Sequence, residues 1–398
     1  MSGPALMLAG FAVAGSTVEA SSLLAGITVS AAVGGPVLGA FLDRAARPGR
    51  LLAGALVMYA TGLGVLLGGL GRWPFAVTIA VAVVTGLLGP ALSGGWTAQL
   101  PRVVPGDRLP RANALDAMTF SAASLAGPAL AGVVAEALGA PSAVVVSVVL
   151  ITLALPAAWT LPARPGRARG TRAAPSISDL AAGIRIITGR PSLARATLAS
   201  VISCVAQGML TACVPLLGER VLGGVGRGAM LLSCAAVSAL AANAVLTRFA
   251  RSVAPETIIW TSALVQAAGL ALATADSPVT LIVAALVMGA GEGPQLAAVF
   301  AIRHREPPGD LRGQIFTTGA SLKITGFAVG AAVAGPVATR SLPTALALAA
   351  SVAVLAALGF FAVPSATGHS SEDRALHGGG STPGRSNGSP GSRPHSSC

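Results

Sequence analysis

What most constrains this chain is the recurrence of apolar runs, each close to the roughly 20 residues that a helix needs to cross a bilayer. A sliding window finds twelve of them, at 4–18, 22–42, 51–70, 74–98, 112–135, 141–161, 193–217, 228–246, 257–275, 279–302, 313–338 and 342–363. Hydrocarbon offers no water to backbone N–H and C=O groups, so runs of this length must satisfy them internally, as helices do. Composition agrees. Of 398 residues, 53% are hydrophobic and 10% charged, against roughly 25% charged in soluble domains. The expected fold is an all-α membrane protein with twelve transmembrane helices.

The net charge of +12 is confined to short segments between apolar runs and forms no basic face, so it signals topology and no nucleic-acid partner is expected. The second, fourth, sixth, eighth and tenth connections carry the arginines, among them Arg44, Arg47, Arg50, Arg102, Arg108, Arg111, Arg248, Arg251, Arg303, Arg305 and Arg312. The opposite connections hold mostly lone charges such as Glu19, Arg72, Glu136 and Asp276. The positive-inside rule then expects a multi-pass protein of the cell membrane with both termini in the cytoplasm.

The longest connection, 163–190, is expected to be a cytoplasmic linker between a six-helix unit at 1–162 and another at 191–363. Residues 179–188 within it read either as a short amphipathic helix or as flexible chain. The stretch 364–398 is rich in Gly, Ser, Pro and His and cannot bury enough apolar surface to fold, so a disordered cytoplasmic tail is expected. Its His369, His377 and His395 have no rigid metal spacing. Cys204, Cys213 and Cys234 lie in apolar runs and Cys398 ends the tail, which gives no disulfide framework. The first run has neither a basic flank nor a cleavage site, so no removed leader is expected. No metal or cofactor is implied.

The two units echo each other. Gly89-Pro90 and then Pro105-Gly106-Asp107 in the first are answered by Gly293-Pro294 and Pro308-Gly309-Asp310 in the second, at offsets of 204 and 203 residues. Gly127-Pro128 is answered by Gly335-Pro336 in the matching span. Ordered matches at about half the chain length point to duplication of a six-helix unit.

Gly35 and Gly39, four residues apart, leave a smooth helix face, and the chain continues into Asp43-Arg44-Ala45-Ala46-Arg47-Pro48-Gly49-Arg50. Gly39, Asp43, Arg44, Gly49 and Arg50 resemble the signature loop between helices two and three of the major facilitator superfamily of transporters, with the spacing after Arg44 lengthened by two residues. The segment from Ser124 to Gly132, with Gly127, Pro128 and Gly132, resembles the helix-packing motif in helix five of that superfamily's drug-antiporter branch. Those antiporters usually carry an arginine in helix four, whereas 74–98 has none. The resemblance implies two six-helix bundles rocking around a central cavity, with Asp43 helping to close the inward gate; the bland alternative is a merely topological loop.

Charges inside spans cost roughly 2.5–3.5 kcal/mol each, which makes the few that occur candidates for function. Glu292 and Lys323 each lie about ten residues from the arginine-rich ends of their consecutive spans, so both sit roughly 15 Å deep. They are expected to form an ion pair, either one that breaks during transport or a permanent structural lock. Asp116 either pairs with an arginine of its own loop or lines the cavity. Gln207, Asn243, Gln266 and Gln295 either meet substrate or bond between helices, and Trp96 and Tyr59 are candidate cavity aromatics.

The leading expectation is a monomeric secondary transporter that moves a small hydrophobic or amphipathic molecule by alternating access, in the efflux direction, with the proton as candidate coupling ion and lipid around it. The alternative is a non-transporting sensor or scaffold on the same fold. An enzyme is not expected. No phosphate-binding loop is present, and histidines are confined to His304 and the tail.

Overall fold

The computed structural model describes residues 2–14, 17–163, 177–223, 227–249, 253–275 and 277–364. The expected linker stretch at 164–176, the tail at 365–398, Arg251 and Asp276 lie outside the described residues. The first half comprises α1 (Ser2–Ala14), α2 (Thr17–Arg44), α3 (Pro48–Gly69), α4 (Phe75–Gly86), α5 (Leu100–Val103), α6 (Leu109–Leu138), α7 (Ala140–Leu153) and α8 (Leu155–Trp159). A linking helix, α9 (Ile177–Gly189), precedes the second half: α10 (Pro191–Leu222), α11 (Gly228–Phe249), α12 (Pro255–Leu272), α13 (Pro278–Arg305), α14 (Arg312–Arg340) and α15 (Leu342–Ala362).

Nine helices among the described residues are long and apolar enough to cross a membrane. The remaining passes are made by the short α1, the 18-residue α12 and a fourth span that the sequence reading treated as continuous. That span breaks after α4: Pro90 removes a backbone donor, and a π-helical turn follows at Ala91–Gly95. The sixth span is nicked between α7 and α8, where Pro156 enters the first turn of α8. By contrast, α13 runs on to Arg305, one turn beyond the expected end, and carries Arg303 and His304 into the protein.

Alanine occupies many of the most buried positions, which lets helices approach closely. The second half packs around Met209, Leu217, Leu270, Leu281 and Leu346, and the first around Tyr59, Leu63 and Val144. Large apolar side chains such as Val133, Leu153 and Val279 point outward, as they should where the solvent is lipid. Within 179–188 the chain is helical: α9 buries Ile187 with Leu193 and Ile315 and lies against the start of α14.

Candidate functional site

The two halves meet most closely where α2 crosses α14. Glycine at positions 35 and 39 permits this: a Cβ at Gly39 would fall 2.4 Å from Gln314 Cα, and one at Gly35 would fall 2.2 Å from Ser321 Oγ. Hydroxyls of α14 fill the seam. Ser321 Oγ donates to the Ala31 carbonyl at 2.5 Å and accepts the Gly35 N–H at 3.1 Å, while Thr317 Oγ1 donates to the Gly35 carbonyl at 2.6 Å. At the end of α2 the Asp43 carboxylate, only 3% exposed, accepts from the backbone N–H groups of Gly313 at 2.8 Å and Gln314 at 2.7 Å. These donors belong to the first turn of α14, which has no intrahelical partners for them and is the positive end of the helix dipole.

The remainder of that loop serves its own half. Gly49 is buried beneath the Ala158 carbonyl, where a Cβ would sit at 2.3 Å, and the Arg50 guanidinium lies 5.3 Å from the centre of the Trp159 ring. Arg44 is half-buried at the α2 terminus.

A second closure lies beside the first. His304, 2% exposed, places Nε2 at 3.0 Å from the Thr97 carbonyl across the halves. A carbonyl only accepts, so this nitrogen carries the proton. Phe120, Phe300 and Phe316 stack in series, with centroids 5.7 and 5.8 Å apart, and the His304 ring lies 4.5 Å from that of Phe316.

Beyond this plug, away from the arginine-rich end, lies a cavity of about 540 Å³ walled by both halves. Ser93, Phe120 and Ser124 come from the first half; Gln207, Leu210, Glu292, Arg303 and Lys323 come from the second. All its charges therefore belong to one half. A larger groove of about 660 Å³ between α3 and α4 is walled by side chains such as Val57, Met58 and Val84 and holds no charge.

This architecture has counterparts. A family model described as Major Facilitator Superfamily matches residues 1–272. The chain belongs to that superfamily. An uncharacterized MFS-type transporter of Sinorhizobium fredii, y4rN, is 28% identical over 316 residues, which cover 75% of this chain and 74% of that protein. Among solved structures, the human organic anion transporter MFSD10 aligns at TM-score 0.69 and 17% identity, over 86% of this chain and 84% of its own. The fucose:proton symporter FucP of E. coli aligns at 0.67 and 15%, over 90% and 94%. A bacterial homologue of the iron transporter ferroportin, in an outward-facing state, aligns at 0.67 and 14%, over 90% and 97%. At these identities the solved structures establish the fold. Superfamily members are multi-pass membrane transporters of small molecules, not enzymes, and their fold is the twelve-helix, two-bundle one found here.

Against that fold, the expected site residues separate into three groups. Glu292 and Lys323 both line the cavity and lie within coulombic range of each other, yet among the described residues no ion pair joins them. Gln207 also lines the cavity and begins a relay, donating to Gln266 at 3.2 Å; Gln266 donates to Gln295 at 3.1 Å, and Gln295 to Ser203 at 3.0 Å. Gln295 is thus an interhelical bond within the second half rather than a cavity residue.

Asn243 is fully buried against Gly293 and does not face the cavity either. Asp116 takes its hydrogen bond from Thr97 Oγ1 at 2.8 Å and not from an arginine of its loop. Tyr59 bonds to Ser2 at 2.9 Å and Trp96 packs with Leu42 and Leu52, so neither lines the cavity. In the helix-five motif, Gly127 is buried and Pro128 exposed, but nothing comes within 4 Å of a Cβ at Gly132, which therefore packs against no helix here.

Arg303 and His304 were read as loop residues and are the main omission. A helical count would have found the first: Arg303 follows Glu292 by eleven residues, close to three full turns, and so shares its face.

Proposed function

We propose that this protein exports a small amphipathic molecule by alternating access, with the arginine-rich end in the cytoplasm, both termini on that side, and Glu292 as the group whose protonation couples transport to the proton gradient. The observation that carries this reading is the cavity bounded by both halves and sealed at one end by Asp43 on the first turn of α14. Separating α2 from α14 would open that end, and the positive-inside rule makes it the cytoplasmic one. The apolar wall favours cargo with a hydrocarbon body, and a carboxylate accessible within a membrane-embedded cavity is a natural proton carrier.

Cells producing the full chain are expected to accumulate less of at least one compound in a panel of toxic amphipathic molecules than cells without it. Glu292→Gln, at equal expression, is expected to remove the difference. Equal accumulation across the panel would refute export and leave the sensor reading in its place. Cysteines at positions 47 and 248 are expected to label from the cytoplasmic face alone, and labelling from opposite faces would overturn the topology.

A further inference from the structure

The charges in the cavity do not balance: Glu292 stands alone against Arg303 and Lys323. Glu292 lies roughly 16 Å along α13 from Arg303, too far to neutralise it. Arg303 is 2% exposed, and its Nε and Nη2 have no hydrogen-bond partner. Its position is fixed by packing. The guanidinium lies on the α14 backbone at Gly319, where a Cβ would fall 2.2 Å from Nη2, and its central carbon is 5.9 Å from the Phe316 ring centre.

A buried guanidinium with unmade bonds is costly unless an acceptor completes it. Arg303 also contributes to the wall of the cavity, where cations outnumber acids, so an anion entering the cavity would offset the excess charge there. Lys323, about one helical turn from Gly319, adds a second cation to the same wall. Leu210, Leu232 and Met288 continue that wall as hydrocarbon.

We propose that the cavity binds amphipathic organic anions, with the anionic head on Arg303 and Lys323 and the apolar body toward Leu210 and Met288. The proposal rests on the reading of the protein as a transporter of amphipathic cargo, and it specifies the charge of that cargo. Arg303 and Lys323 together place two positive charges on the wall that would face one head group. A cation of the same shape meets two like charges, and a neutral molecule leaves Arg303 incomplete.

The test is thermal unfolding of the full chain in a non-ionic detergent, titrated with 4-butylbenzoate, 4-butylbenzamide or 4-butylbenzylamine. The benzoate is expected to raise the midpoint saturably, and the amide and amine are not. Arg303→Gln is expected to weaken benzoate binding at least about thirtyfold, Arg303→Lys less, and Lys323→Gln about tenfold. An absent benzoate shift, an equal shift with amide or amine, or unchanged affinity in Arg303→Gln overturns the proposal. Should Arg303→Gln fail to fold, unchanged affinity in Lys323→Gln overturns it as well. Arg303-dependent binding without benzoate flux into liposomes leaves the anion site standing and removes transport of this cargo. Equal flux of amide and benzoate does the reverse.

Discussion

The two most extensive helix contacts between the halves are α2 with α14 and α6 with α11, and they are built from different chemistry. On the first diagonal, glycines admit a backbone-to-backbone approach, hydroxyls of α14 bond to carbonyls of α2, and Asp43 caps the start of α14. On the second, α11 contains no acidic residue and no glycine after Gly228, and proline in the first turn of α6 removes a donor that an acid there would need. Parting the first pair breaks several buried hydrogen bonds together. At the arginine-rich end the first diagonal therefore supplies a run of buried hydrogen bonds, beside the His304–Thr97 contact and the phenylalanine series.

The largest expected effect comes from breaking that asymmetry at its strongest point. Asp43→Ala leaves two buried N–H groups and a helix dipole without an acceptor, a loss of about 3 kcal/mol, or roughly a hundredfold shift toward the unsealed state. Spin labels at positions 47 and 310, on exposed sites of opposite halves, are expected to move from a short to a long distance distribution. Asp43→Asn, which keeps one acceptor, should lie between. An unchanged distribution for Asp43→Ala would mean that the diagonals share the load. Next comes Gly39→Ala, whose methyl would meet Gln314 Cα at 2.4 Å. Overpacking of this kind costs about 1–3 kcal/mol, and the same spin-label pair should report a partial opening.

Much of this diagonal was legible beforehand because its parts are local in sequence: small residues four apart, then an acid at a helix end beside a basic loop. The cavity was less legible. Glu292 and Lys323 stood out because charge is rare inside apolar runs, but Arg303 was hidden by its neighbours Arg305 and Arg312, which made it look like one more topology signal. The break in the fourth span had one visible cause, Pro90, but 74–98 is apolar enough to read as one continuous run, and the docking of Gly94 on the Phe316 carbonyl, where a Cβ would sit at 2.6 Å, depends on a distant part of the chain. For Asn243 and Gln295 the choice between cavity and interhelical contact stayed open in the sequence, because hydropathy ranks a polar residue in a span without saying which helix it faces.

The halves also differ inside. The second is threaded by the chain from Gln207 through Gln266 and Gln295 to Ser203, and Gln266 is completely buried. Gln266→Leu removes two of these bonds and leaves Gln207 and Gln295 short of partners, and at about 0.6 kcal/mol per interhelical bond in a membrane the cost is about 1–2 kcal/mol. The unfolding midpoint in detergent should fall while the 47–310 distance stays as it was. A change in that distance would show that the network serves the gate as well as the bundle.

The smallest effect is the sharpest control. Gly132 lies on α6, the helix of the plain diagonal, and nothing stands within 4 Å of a Cβ placed there. The substitution that strains the seal at position 39 should therefore be accepted at 132, and it should add stability, because alanine is about 0.5–1 kcal/mol better than glycine inside a helix. Gly132→Ala is expected to raise the unfolding midpoint slightly and leave the spin-label distances unchanged. If it instead impairs export, another helix must come against that face at some stage of the transport cycle, and the second diagonal would be a close-packed seal in that stage in the way the first is in this one.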